Sequence, residues 1–127
     1  MKYTDKLGAE AGSFQPFAVG EEEIVLTSLV MRQIAAGDRI MLRLEVGWEK
    51  PYYWDTGELE IIVRQDRADG PVVYWTLETC FEQARTIDTV TVTGTRPEQL
   101  FYLSVRSAEG RARIGGHYSL QGTVYAP

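Results

Sequence analysis

The chain has no asparagine, one cysteine, one histidine, and three lysines against ten arginines. Without asparagine there is no N-glycosylation sequon. The lone Cys80 excludes an intramolecular disulfide and a cysteine-based zinc cluster. Any catalytic triad or histidine-based metal site would have to pass through His117. Positive charge is also scarce: 13 Lys and Arg stand against 18 Asp and Glu, for a formal net charge of −5. Neutralising phosphates requires a clustered basic excess, so a nucleic-acid partner is not expected. No apolar run approaches the ~18 residues of a membrane-spanning helix, and residues 1–15 lack the apolar core of a secretory signal. Membrane insertion and a cleaved signal peptide are therefore not expected. Internal repeats, low-complexity tracts and a sustained 3.6-residue hydrophobic period are also missing.

What the chain does have is alternation. It is 127 residues long, with 44% apolar and 24% charged residues, enough for one globular domain with its own core. From Arg39 onward, Ile40, Leu42, Leu44, Val46 and Trp48 share one face, while Arg39, Met41, Arg43 and Glu45 share the other. This is the period of a half-buried strand. The same reading predicts strands over 14–19, 22–33, 39–48, 59–66, 72–82, 86–93, 100–107 and 111–125. Turn-forming clusters rich in Gly, Pro and Asp separate most of them. About eight strands in so short a chain predict an all-β, antiparallel sandwich, jelly-roll or alternatively immunoglobulin-like. Residues 1–13 read as a flexible leader and 14–127 as the single sandwich domain. The expected core is Leu42, Leu44, Val46, Trp75, Leu77, Leu103, Val105, Leu120 and Val124. The segments 24–31 and 86–93 carry apolar or Thr residues on both faces, and one face of each is expected to be covered by another subunit.

Few residues invite chemistry. His117 falls on the polar face of the last strand with no nucleophile motif beside it. Cys80 lacks a neighbouring base or helix N-terminus to activate it. Carboxylate pairs such as Asp55 with Glu58 or Glu78 with Glu82 occur in any acidic chain, and the Glu21 to Glu23 run has no calcium-loop spacing. Hence no catalytic residue, metal or cofactor is expected, and the chain reads as a non-enzyme. The one concentration above chance is Trp48-Glu-Lys-Pro-Tyr-Tyr-Trp54, which holds four of the 14 aromatics in seven residues. One reading has Trp48 ending a core strand while Tyr52, Tyr53 and Trp54 pack over the open end of the sandwich or at a subunit contact. The alternative is a glycan platform in which Trp48, Tyr52, Tyr53 and Trp54 offer ring faces and Asp55 takes sugar hydroxyls.

The run Ala36-Gly-Asp-Arg-Ile-Met-Leu-Arg-Leu-Glu-Val-Gly-Trp48, then Leu59-Glu-Ile-Ile-Val-Arg64, and the closing Ile114-Gly-Gly-His-Tyr-Ser-Leu-Gln-Gly-Thr-Val-Tyr125 together resemble the jelly-roll heads of bacterial spore-surface proteins. Those exosporium and coat heads are similar in fold to tumour-necrosis-factor and complement globular domains. The resemblance spans about residues 20–126 and is one of pattern. It implies a structural protein that assembles with itself, as a homotrimer, on a spore surface. No Gly-X-Y collagen stalk precedes the matching segment.

Overall fold

The computed structural model describes residues 1–127 and contains nine strands: β1 (Tyr3–Ala9), β2 (Phe17–Val19), β3 (Ile24–Met31), β4 (Arg39–Glu49), β5 (Gly57–Gln65), β6 (Val72–Cys80), β7 (Gln83–Thr93), β8 (Gln99–Arg106) and β9 (Ala112–Tyr125). They form two antiparallel sheets. One runs β1-β9-β4-β7, with β2 also on β9; the other runs β3-β8-β5-β6. From β2 onward the chain changes sheet at every step except β5 to β6. Paired as β2-β9-β4-β7 and β3-β8-β5-β6, the strands have the connectivity of a jelly roll, in which two Greek keys interleave. The immunoglobulin alternative, with consecutive strands grouped differently between its sheets, does not apply.

The core forms where the inward residues of the central strands meet. Ile40, Leu42, Leu44, Val46 and Trp48 of β4 face Leu59, Ile61 and Val63 of β5 and Phe101, Leu103 and Val105 of β8, and all are buried. Strict alternation along these strands puts Arg39, Met41 and Arg43 on the opposite face of β4, as the period of two requires. In β9, four steps from Ile114 to Tyr118 lie opposite two steps from Trp48 to Val46. Because the excess is an even number of residues, Ala112, Ile114, Leu120 and Val124 all remain inward.

Two expectations are corrected. Trp75 and Leu77 are not core residues: they lie on the outer face, 54% and 46% exposed. The cause is a bulge, since Val63 pairs with Tyr74 but Arg64 pairs with Val72, which leaves Val73 unmatched. Val73 and Tyr74 therefore both pack on the core, and every later residue of β6 takes the face opposite to that of an unbroken alternation. The inward positions of β6 are consequently partly polar. Tyr74 donates its hydroxyl to Asp88 of β7 at 2.6 Å, closing the gap between the two edge strands.

Nor is the N-terminal segment a flexible leader. Tyr3–Ala9 is a strand, paired in register from Tyr3↔Val124 to Ala9↔Tyr118. The long β9 is free beyond β4 and takes β1 along this stretch, while β2 occupies its start through Phe17↔Ile114 to Val19↔Ala112. Tyr3 packs against the core, Lys2 forms an ion pair with buried Asp38, and Thr4 donates to the Gly122 carbonyl at 3.0 Å.

Candidate functional site

Three features stand apart from the core, beginning with the aromatic loop. Trp48 ends β4 buried and donates its indole N–H to Thr86 at 3.1 Å. Pro51 is buried beside it, and Trp54 N–H closes a turn onto the Pro51 carbonyl at 3.2 Å. With the end of the sandwich already filled by Trp48 and Pro51, the turn directs the next two side chains outward. Tyr52 is 95% and Tyr53 77% exposed. Neither caps the sandwich within this chain, which corrects that half of the packing reading and leaves its subunit contact. Trp54 is half-buried under the Arg111 guanidinium, 4.0 Å from its ring centroid, a cation–π contact. Tyr53 and Trp54 have centroids 6.3 Å apart and planes inclined by 42°, so they do not form one flat platform. Asp55 is exposed next to them. The neighbouring turn between β6 and β7 adds exposed Phe81, with Lys50 N–H bonded to the Glu82 carbonyl at 3.0 Å. Cys80, at the end of β6 beside that turn, has its thiol pushed up by burial, which disfavours the reactive thiolate.

The second feature lies where β9 bulges over β4. Residues 115–117 arch across Gly47, and a Cβ on Gly47 or Gly116 would sit 2.9 Å from the other's Cα. Only glycine permits that approach. The arch turns His117 outward. Its Nε2 lies 3.3 Å from Glu45 and its Nδ1 3.3 Å from Glu10. Glu45 is 4% exposed and accepts from Arg85 Nε at 3.2 Å, with Arg43 at 3.5 Å. Burial pushes its carboxyl up, but the Arg85 hydrogen bond and charge, with His117 and Arg43 behind them, bring it below the usual carboxylate range. Beside this cluster opens a cleft of about 490 Å³, floored by Gly47, Gly115 and Gly116 and walled by Glu49, Gln83, Arg85 and His117.

Both imidazole nitrogens face carboxylates, and the buried Ser119 hydroxyl two residues on has no hydrogen-bond partner. The two carboxylates sit on opposite edges of the ring, and no group of three potential metal ligands converges. Sequence reasoning placed His117 on the polar face but missed the cleft. The available signal was one glycine in β4 set against the Gly115-Gly116 pair in a strand long enough to bulge.

The third feature is the outer face of the β3-β8-β5-β6 sheet. Register places Val25, Ser104, Ile62 and Trp75 in one row across all four strands. Ile62 is buried on this outer face, and Val25, Val72, Trp75 and Leu77 are exposed. Ion pairs flank the row. Arg64 meets Glu23 through two contacts of 2.8 Å on one side. On the other, Arg106 lies 3.5 Å from Glu60, which also accepts from the Trp75 indole at 3.0 Å. The opposite outer face, by contrast, is rich in threonine, with Thr89, Thr91 and Thr93 on β7 and Thr123 on β9. No helix in the chain is long and apolar enough to cross a membrane. The chain matches no family model and no curated protein.

Proposed function

We propose that the protein is a non-enzymatic structural module that assembles with copies of itself. The observation that carries this reading is the apolar row Val25, Ile62 and Trp75, widened by Val72 and Leu77 on β6. Clustered exposed apolar side chains bounded by polar ones mark interaction surfaces. Both signs of charge border the row, through Arg64 and Arg106 and through Glu23 and Glu60. A second copy can therefore meet it with opposite charges apposed, in a symmetric homo-oligomer. The resemblance to spore-surface heads adds three copies and a location on the spore exterior.

The test is Trp75→Glu, compared with Ile87→Glu on the outer face of the other sheet. If the row is the interface, Trp75→Glu lowers the solution mass while Ile87→Glu does not. An unchanged mass for Trp75→Glu, in a protein that does associate, refutes the assignment.

A second reading is favoured by one observation, the near-complete exposure of Tyr52 and Tyr53. Rings held in solvent at a loop tip cost hydration unless a ligand or partner covers them. A glycan stacking there is the alternative partner, with Trp54 and Asp55 beside the rings. Trp48, buried in the core end, takes no part. Loss of glycan retention on Tyr53→Ala at constant melting temperature supports this reading; absence of any glycan retained by the unmodified protein removes it.

A further inference from the structure

We infer that the cleft beside the β9 bulge is a binding site for a small neutral sugar or polyol. The inference is independent of the self-assembly reading and places the ligand away from the loop tip.

Gly115 is the residue that points to a ligand. Its neighbours explain themselves, because Gly47 and Gly116 touch backbone to backbone and no Cβ fits between them. Gly115 has no such reason. A Cβ there would meet Glu49 Oε1 at 3.4 Å and Pro16 at 3.5 Å, ordinary contacts, and its φ lies outside the left-handed region. Neither packing nor backbone geometry demands glycine at this position. What the missing side chain does is leave the floor of the cleft bare, with peptide groups open to whatever enters. A bare glycine where a ligand approaches closely is a known use of the residue in strands, and bulges recur beside binding sites.

The walls then define the ligand. The one cationic wall residue, Arg85, is already engaged by a carboxylate. It spends Nε and Nη2 on buried Glu45, and the Glu49 carboxylate also lines the cleft. An anionic ligand would find Arg85 engaged by Glu45 and would oppose the Glu49 carboxylate. The hydrogen-bonding capacity left over is mixed: the Gln83 amide donates and accepts, the Glu49 carboxylate accepts, and Arg85 keeps further N–H donors. Closely spaced donors and acceptors suit vicinal hydroxyls, which do both. The volume of about 490 Å³ falls within the range of small-molecule sites.

The same glycine supplies the test. Because a side chain at residue 115 meets only ordinary contacts at its Cβ, Gly115→Leu fills the cleft without disturbing the Gly47 to Gly116 crossing. Amide resonances of 115–117 are followed by nuclear magnetic resonance during titration with neutral hexoses, N-acetylhexosamines and their disaccharides at millimolar concentration. Glucuronate and glucosamine serve as charged controls. The expected result is saturable movement of these amides with a neutral sugar, lost in Gly115→Leu at unchanged fold, and about tenfold weaker in Gln83→Ala through loss of one or two hydrogen bonds. Gly115→Ala, which only narrows the floor, keeps the test valid should Gly115→Leu fail to fold: it must weaken binding. The inference is overturned if no neutral sugar moves these amides, if binding survives Gly115→Leu or Gly115→Ala undiminished, or if the charged controls bind more tightly. Loss of binding in Tyr52→Ala with Gly115→Leu unaffected would place the sugar at the loop tip and also overturn it.

Discussion

Replacing Gly115 and Gly116 singly by alanine should give opposite results, although the two are adjacent in sequence. At residue 116 a Cβ would lie 2.9 Å from the Gly47 Cα and 3.2 Å from its carbonyl carbon. Those atoms are backbone on a central strand and have no rotamer by which to yield. β4 and β9 must separate or the bulge must reshape, and overpacking of this kind costs ~1–3 kcal/mol. At residue 115 the nearest atoms are the flexible end of Glu49 and the Pro16 ring, at 3.4 Å or more. Alanine fits there and removes some freedom from the unfolded chain, a gain of up to ~0.4–1 kcal/mol. The two variants should therefore differ by roughly 1.5–4 kcal/mol. For a domain of this size that is on the order of 10 °C in melting temperature. Thermal unfolding followed by circular dichroism reads the difference directly. Equal melting temperatures for the two variants would refute the close approach of Gly47 and Gly116, and with it the geometry of the cleft floor.

Leu44→Ala, at a fully buried position of β4, should lower unfolding free energy by ~2–5 kcal/mol in chemical denaturation; a loss under ~1 kcal/mol would contradict a packed core there. Removing residues 1–9 should lower the melting temperature while keeping the β-type far-ultraviolet spectrum, because β1 contributes a ladder on β9 and the packing of Tyr3; an unchanged melting temperature would mean that the segment is dispensable. Arg64 holds the Glu23 carboxyl below its ordinary value of 4.5, and Glu45 is held low in the same direction against the cost of its burial. Groups with depressed values contribute stability that is fully present above the ordinary value and lost as the pH falls through the depressed one. Stability should therefore decline on acidification below about pH 4.5 and decline less steeply in Glu45→Gln; a rise in stability over that interval would contradict the pairing.

How far the sequence carried depended on where each residue sits between the layers. β4, β5, β8 and β9 are central strands with one face on the core, so Leu42, Leu44, Leu103 and Leu120 had to recur every second residue, and their period was legible. β6 is an edge strand whose outer face carries Trp75 over Ile62. Both of its faces are amphipathic, and a one-residue bulge at Val73 then reversed the assignment. β1 was illegible for a related reason: an edge strand with one ladder needs no apolar period, and Tyr3-Thr4-Asp5-Lys6-Leu7-Gly8-Ala9 has almost none. The loop aromatics were visible as a cluster, yet their exposure depended on Pro51 turning the chain outward. The cleft arises from two strands of unequal length between common pairs, which no local pattern records. Its only trace was a set of glycines without a turn to serve.

Self-association is the central claim, and sedimentation equilibrium of the unmodified protein across a wide dilution series tests it most directly. The account predicts a mass that is a small integer multiple of 14.3 kDa, three if the resemblance to spore-surface heads extends to assembly, falling on dilution and falling at higher concentration in Trp75→Glu. A mass of 14.3 kDa at every concentration would contradict it and leave the apolar row of Val25, Ile62 and Trp75 without the partner proposed for it.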